Sequence, residues 1–78
     1  MADQQQIIES IADNLALPTS DIDMDSHLQD DLGLNPVEVA DLLGNLSRKF
    51  GIVFDPLEIE SIKTVGNLVE LIEDKLLE

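Results

Sequence analysis

The strongest hydrophobic pattern in the chain is the row Val39, Leu43, Leu46 and Phe50. Its steps keep all four side chains on one face of a helix with ~3.6 residues per turn. Asn35 is a preferred cap for the start of that helix, and Pro36 suits its first position. Glu38 can reach back to the cap's own N–H to complete a capping box. Gly51 is placed to end it in the left-handed conformation, so the pattern predicts a helix over Asn35 to Phe50. Gly44 lies inside it, where glycine is about 1 kcal/mol worse than alanine. Either a neighbour approaches closely there or a side chain has been dispensed with. An earlier row, Ile7, Ile11 and Leu15 with Ile8 and Ala12 beside it, predicts a helix from Asp3 to Ala16. Asp3 caps its start, and Leu17-Pro18 stops it because a residue before proline is pushed out of the helical region. Near the end of the chain, Thr64 caps a helix to Leu77 with Val65, Leu68, Val69, Ile72 and Leu76 in its stripe.

The segments between carry weaker signals. Pro18 to Leu34 is longer than the roughly 12 residues that unstructured loops in compact domains usually stay below. Ile22, Met24, Leu28 and Leu32 are apolar pegs that press it across the helices, with a short helical turn around Ser20 to Asp23. Ile52-Val53-Phe54 has no partner strand and reads as a buried connection; Met24 and Phe54 are assigned to the core. Asp55-Pro56-Leu57-Glu58 repeats the order of Asn35-Pro36-Val37-Glu38 (cap, proline, apolar residue, glutamate) and opens a short helix, about Pro56 to Ser61. The fold class is therefore all-α: a small antiparallel four-helix bundle, three longer helices plus one short, in one domain spanning 1–78.

Composition narrows the function. Hydrophobic residues make up 44% of the 78 positions, enough for a packed interior, and with only Phe50 and Phe54 aromatic that interior is aliphatic. The absence of cysteine removes disulfides and thiolate metal sites and fits a reducing compartment. No basic leader opens the chain, and no apolar run approaches the roughly 20 residues that span a membrane, so the expectation is a soluble, cytoplasmic monomer. Seventeen acids against four bases give a net charge of −13, which repels nucleic acid and anionic membranes and steers basic protein surfaces toward the chain.

The order of elements, the acidity and the run D-D-L-G-L-N-P-V-E-V from Asp30 to Val39 resemble the acyl carrier protein family. The resemblance covers essentially the whole chain. Ser26 to Gly33 is similar to the family's approach to its modified site, Phe50-Gly51-Ile52 to the close of its second helix, and Ile62-Lys63-Thr64-Val65 to the entry into its fourth. The family's motif D-L-G-x-D-S-L presents a serine to which a transferase attaches 4′-phosphopantetheine, whose thiol carries acyl groups. Here the same window reads D-L-G-L-N-P-V, so the resemblance sets Asn35, Pro36 and Val37 where the family has aspartate, serine and leucine. Proline has no hydroxyl and a carboxamide is no substitute nucleophile, so no covalent cofactor is expected. The resemblance implies instead a docking, scaffold or regulatory module for fatty-acid or polyketide-type enzymes with basic patches. Leu34, Val37, Glu38, Asp41 and Asn45 form the contact surface. Farther along the helix, Arg48 and Lys49 depart from the family's acidic character.

Two other readings remain open at this point. One is a working carrier modified at another serine, with Ser26 in Asp25-Ser26-His27-Leu28 the leading candidate among Ser10, Ser20, Ser26, Ser47 and Ser61. The other is an acidic structural subunit unrelated to acyl chemistry. Asp21-x-Asp23-x-Asp25 has the alternation of a calcium loop, but Ser26 stands where its turn needs glycine and Leu32 where a bidentate glutamate belongs. Only loose divalent binding by pooled acids is left to it, and no metal site is expected. His27 is a lone histidine among acids, and no nucleophile–base set or phosphate loop exists, so intrinsic enzyme activity is not expected. Mutual repulsion of the acids predicts that the melting temperature rises as salt is added; a flat profile across a NaCl titration counts against it.

Overall fold

The computed structural model describes residues 3–77. Four α-helices follow one another: α1 (Gln4–Leu15), α2 (Pro36–Phe50), α3 (Pro56–Ser61) and α4 (Val65–Leu77), with a single 3₁₀ turn at Thr19–Asp21. Among these residues no strand forms, and the one β-type pairing is an isolated antiparallel bridge between His27 and Thr64. α1 packs on both α2 and α4.

Each helix begins at a side-chain cap. Asp3 and Gln6 form a capping box at α1, Asn35 and Glu38 at α2, and Asp55 and Glu58 at α3. At α4 the Thr64 hydroxyl accepts the Asn67 N–H at 3.1 Å, while the Asn67 carboxamide oxygen accepts the N–H groups of Thr64 and Lys63. Helix ends leave backbone donors without intrahelical partners, and these contacts satisfy them. α2 stops at Gly51 in the left-handed region (φ 66°), as its sequence predicts. α1 stops the same way, one residue earlier than Leu17-Pro18 suggests, on Ala16 (φ 56°). The Cβ of alanine disfavours that conformation, but it lets the N–H of Leu17 reach the Ala12 carbonyl at 3.0 Å and that of Ala16 the Asp13 carbonyl at 3.2 Å, closing the helix end.

The core joins Ile7 and Ile11 of α1, Leu42, Leu43 and Leu46 of α2, and Val65, Leu68, Val69 and Ile72 of α4. Val39 and Phe50, the ends of the α2 stripe, are only half-buried, and Leu42 is the buried residue beside the row. Of the four pegs in the first connection, Leu28 is fully buried and Ile22, Met24 and Leu32 pack against the core's edge. Met24 and Phe54, assigned to the core from sequence, lie at its margin. Ile52-Val53-Phe54 is a buried connection only in part. Ile52 faces inward, but Val53 is 78% exposed, because the extended chain alternates its side chains between core and solvent.

What fastens the first connection is backbone pairing with the entry to α4. The N–H of Leu28 donates to the carbonyl of Lys63, that of Val65 to Ser26 and that of Gly66 to Met24, at 2.9–3.0 Å. The last of these leaves little room beside glycine: a Cβ on residue 66 would meet the Met24 carbonyl oxygen at 3.0 Å, and that backbone would have to give. Gly44 is different, since a Cβ there would find only the Arg48 guanidinium, at 3.8 Å. No close neighbour explains it; a side chain has been left out. Gly66→Ala should therefore lose about 1–3 kcal/mol through overpacking, while Gly44→Ala should gain about 1 kcal/mol from helix propensity. Urea denaturation of the two variants beside the parent chain checks both signs.

Candidate functional site

The segment that reaches the start of α2 is built as a succession of turns. The carbonyl of His27 accepts the N–H groups of Asp31 and Leu32, and the carbonyl of Leu28 accepts that of Leu34. Gly33 turns the chain at φ 72°. The Asp31 carboxylate receives the His27 N–H at 2.7 Å and lies 3.3 Å from its Nδ1. Those contacts, the backbone N–H first, hold the Asp31 carboxyl below its ordinary pKa. Asn35 Oδ1 then accepts the Glu38 N–H at 2.8 Å, and Glu38 Oε1 accepts the Asn35 N–H at 3.0 Å. Pro36 follows at the first helical position, exposed and offering no hydroxyl. Val37 is 68% exposed.

The residues predicted as a contact surface separate into a crest and a flank. Val37 stands on the crest of α2. Leu34, Glu38, Asp41 and Asn45 line a shallow groove toward Asn14 and Leu15 of α1. Asn45 is engaged within the molecule: its amide donates to Asn14 Oδ1 at 2.7 Å, and its oxygen accepts from the Arg48 guanidinium. Asn14 in turn donates to the Ser10 carbonyl, so a polar strut runs from α1 to the far half of α2. Ser26 lies in the first connection, half-buried, with its carbonyl taken by Val65 and its N–H by Asp23. It does not begin a helix. The Asp23 carboxylate accepts the Asp25 N–H, closing a local turn. Among the described residues no three His, Asp or Glu side chains are set to hold a metal ion.

On the opposite flank of α2 lies a feature that the hydrophobic pattern did not disclose. A cavity of about 570 Å³ opens between α2 and the segment leading through α3, walled by Ala40, Leu43, Gly44, Phe54 and Ile59. Its volume falls in the usual range of ligand sites, about 300–1,000 Å³. The signal present in the sequence was the row Pro36, Ala40, Gly44 and Ser47, small side chains recurring on one flank at helical spacing. The far wall is fixed by two tethers. The Ser47 hydroxyl donates to the Ile52 carbonyl, and Lys75 of α4 pairs with Glu58 of α3 at 2.8 Å. The Glu58 carboxyl is held below its ordinary pKa, first by the Asp55 N–H and then by Lys75.

Residues 5–72 match the family model described as a phosphopantetheine attachment site. The chain belongs to the acyl carrier protein family. It is 38% identical to the acyl carrier protein of Exiguobacterium sibiricum over 68 residues, covering 87% of this chain and 86% of that one. Against the acyl carrier protein of Amoebophilus asiaticus it is 32% identical over 74 residues, covering 95% and 92%. Among solved structures, it superposes on the acyl carrier protein of Enterococcus faecalis with a TM-score of 0.80 at 19% identity, covering 95% of this chain and 99% of that one, which shows a common fold. It also matches the apo doublet acyl carrier protein from prodigiosin biosynthesis, with a TM-score of 0.73 and 28% identity over 92% of this chain and 35% of that longer one. Acyl carrier proteins are carriers and not enzymes, and in the family they work with fatty-acid or polyketide enzymes.

The two depressed carboxyl groups give this acyl carrier relative a defined acid response. A group whose pKa is lower in the folded state stabilises the fold above its unfolded pKa, ~4 here, and loses that contribution as pH falls through the lowered value. Asp31→Asn and Glu58→Gln should each melt below the parent chain near neutral pH. The gap should close as pH falls below ~4, and thermal scans over an acid series measure it.

Proposed function

We propose that this chain is a divergent acyl carrier relative whose attachment position is Pro36, and that it works as a cytoplasmic docking, scaffold or regulatory module without a covalent arm. The observation that carries the reading is the chemistry at the head of α2. Asn35 and Pro36 stand where the family's motif sets aspartate and serine, and neither side chain can form a phosphoester. The residues present therefore do not fit 4′-phosphopantetheine. The helix start itself is intact, with both bonds of the capping box made and Val37 projecting beyond it. What remains is recognition: an exposed apolar residue, two acids at Glu38 and Asp41, and a field set by −13 charges. Enzymes of fatty-acid or polyketide type with basic docking patches are the partners that this surface suits. Loading at Ser26 finds less support, since that residue is half-buried and pinned by its backbone to α4.

Co-expression with a broad-specificity phosphopantetheinyl transferase, followed by intact-mass measurement, tests the reading. The native chain should emerge unmodified, and the triple variant Asn35→Asp, Pro36→Ser, Val37→Leu should gain the arm. An arm on the native chain would falsify the proposal.

A further inference from the structure

We infer that Met24 is a modification site: hydrogen peroxide converts its thioether to the sulfoxide, and the change loosens the seam that fastens the first connection to α4. The inference does not depend on the docking reading above. Composition narrows the target first. The chain has no cysteine, tryptophan or tyrosine and two methionines, of which Met24 alone lies among the described residues. Among those residues it is therefore the one sulfur that oxidation can reach.

Its place in the fold makes that sulfur matter. Between Asp21 and Leu28 exposure alternates: Asp21, Asp23, Asp25 and His27 face solvent, while Ile22, Met24, Ser26 and Leu28 turn inward. The Met24 side chain packs against the edge of the core. Its backbone is held on both sides. The Ser26 N–H donates to the Asp23 carbonyl at 3.0 Å, closing the turn that contains Met24, and the Met24 carbonyl accepts the Gly66 N–H at 2.9 Å. The Met24 Cβ stands 3.7 Å from where a Cβ on residue 66 would be, so the side chain starts directly against the entry to α4. Half-burial is the exposure that a switch of this kind needs. A small reagent reaches the residue, and the same residue still contributes apolar packing.

The step balances with peroxide alone. A sulfur lone pair attacks one oxygen, the O–O bond breaks, and the departing hydroxide takes the proton of the transferred oxygen and leaves as water. The sulfur is oxidised and the peroxide is reduced. Charge selects the reagent: three aspartates flank the site in a chain of net charge −13, which repels anionic oxidants and is indifferent to neutral peroxide. The product is polar and chiral where an apolar chain had packed, and its S–O dipole is drawn toward water. As the peg pulls away from the core's edge, the bonds that Met24 and Ser26 make to Gly66 and Val65 open more often, and the bond from Leu28 to Lys63 is next along the seam.

The test treats the full chain with millimolar hydrogen peroxide at neutral pH and locates the added oxygen by peptide mapping. Met24 should gain one oxygen atom, and the melting temperature should fall by at least about 4 °C. The amides of Gly66 and Val65 should exchange hydrogen at least about tenfold faster, with a smaller change in the middle of α1. Met24→Leu conserves volume and removes the sulfur, so its melting temperature should not move under the same treatment. Met24→Ile takes its place if that variant does not fold. The two methionine sulfoxide reductases, one for each epimer, remove the oxygen as water with electrons from dithiothreitol. Once the mass has returned to that of the untreated chain, the melting temperature should return as well. A Met24 that resists peroxide, an oxidised chain that melts unchanged, or an equal fall in the sulfur-free variant overturns the inference. So does exchange no faster at the seam than in α1, or a fall that outlasts removal of the oxygen.

Discussion

Leu28 is held three ways at once: its side chain is sealed in the core, its N–H is bonded to Lys63, and its carbonyl to Leu34. Lys63 leads into α4 and Leu34 leads into α2, so a single residue in an irregular segment fixes both helix entries relative to one another. A buried backbone group without a partner is costly, and the paired alternatives here are few. The neighbouring bonds at Ser26 and Met24 extend the seam, and the missing Cβ of Gly66 lets the strands of chain approach closely enough to make it. The head of α2, and with it the crest and the cavity wall, takes its position from that seam.

Most of the frame was legible in the sequence because its signals are local. The caps at Asp3, Asn35, Asp55 and Thr64 depend on a few consecutive residues, and the stripes of α1, α2 and α4 follow from helical periodicity alone. What could not be read depends on partners far along the chain. The approach of Met24 to Gly66 and the outward turn of Val53 are both set by what the segment packs against. The cavity belongs to the same class. Gly44 announced that something was absent, but only the three-dimensional arrangement shows that the absence borders an open space.

Local physics also explains how a proline can occupy the head of α2 without damage. Its missing N–H would have had no intrahelical partner at that position, and its fixed φ suits the first helical turn. Asn35 and Glu38 complete the start through their reciprocal bonds. A helix start of this kind favours the fold whatever becomes of the chemistry, which is why carrier architecture and the proposed loss of the tether are compatible. The same pattern recurs at α3, where Asp55, Pro56 and Glu58 occupy the corresponding places.

The two helix starts share one more trait. The residue after each proline, Val37 in α2 and Leu57 in α3, points into solvent, at 68% and 78% exposure. Such residues are adhesive, whereas the net charge of −13 makes copies of the chain repel one another at long range. An electrostatic repulsion is thus laid over a sticky skin. As acidification carries the chain toward its isoelectric point, that barrier thins and the balance tilts toward coagulation.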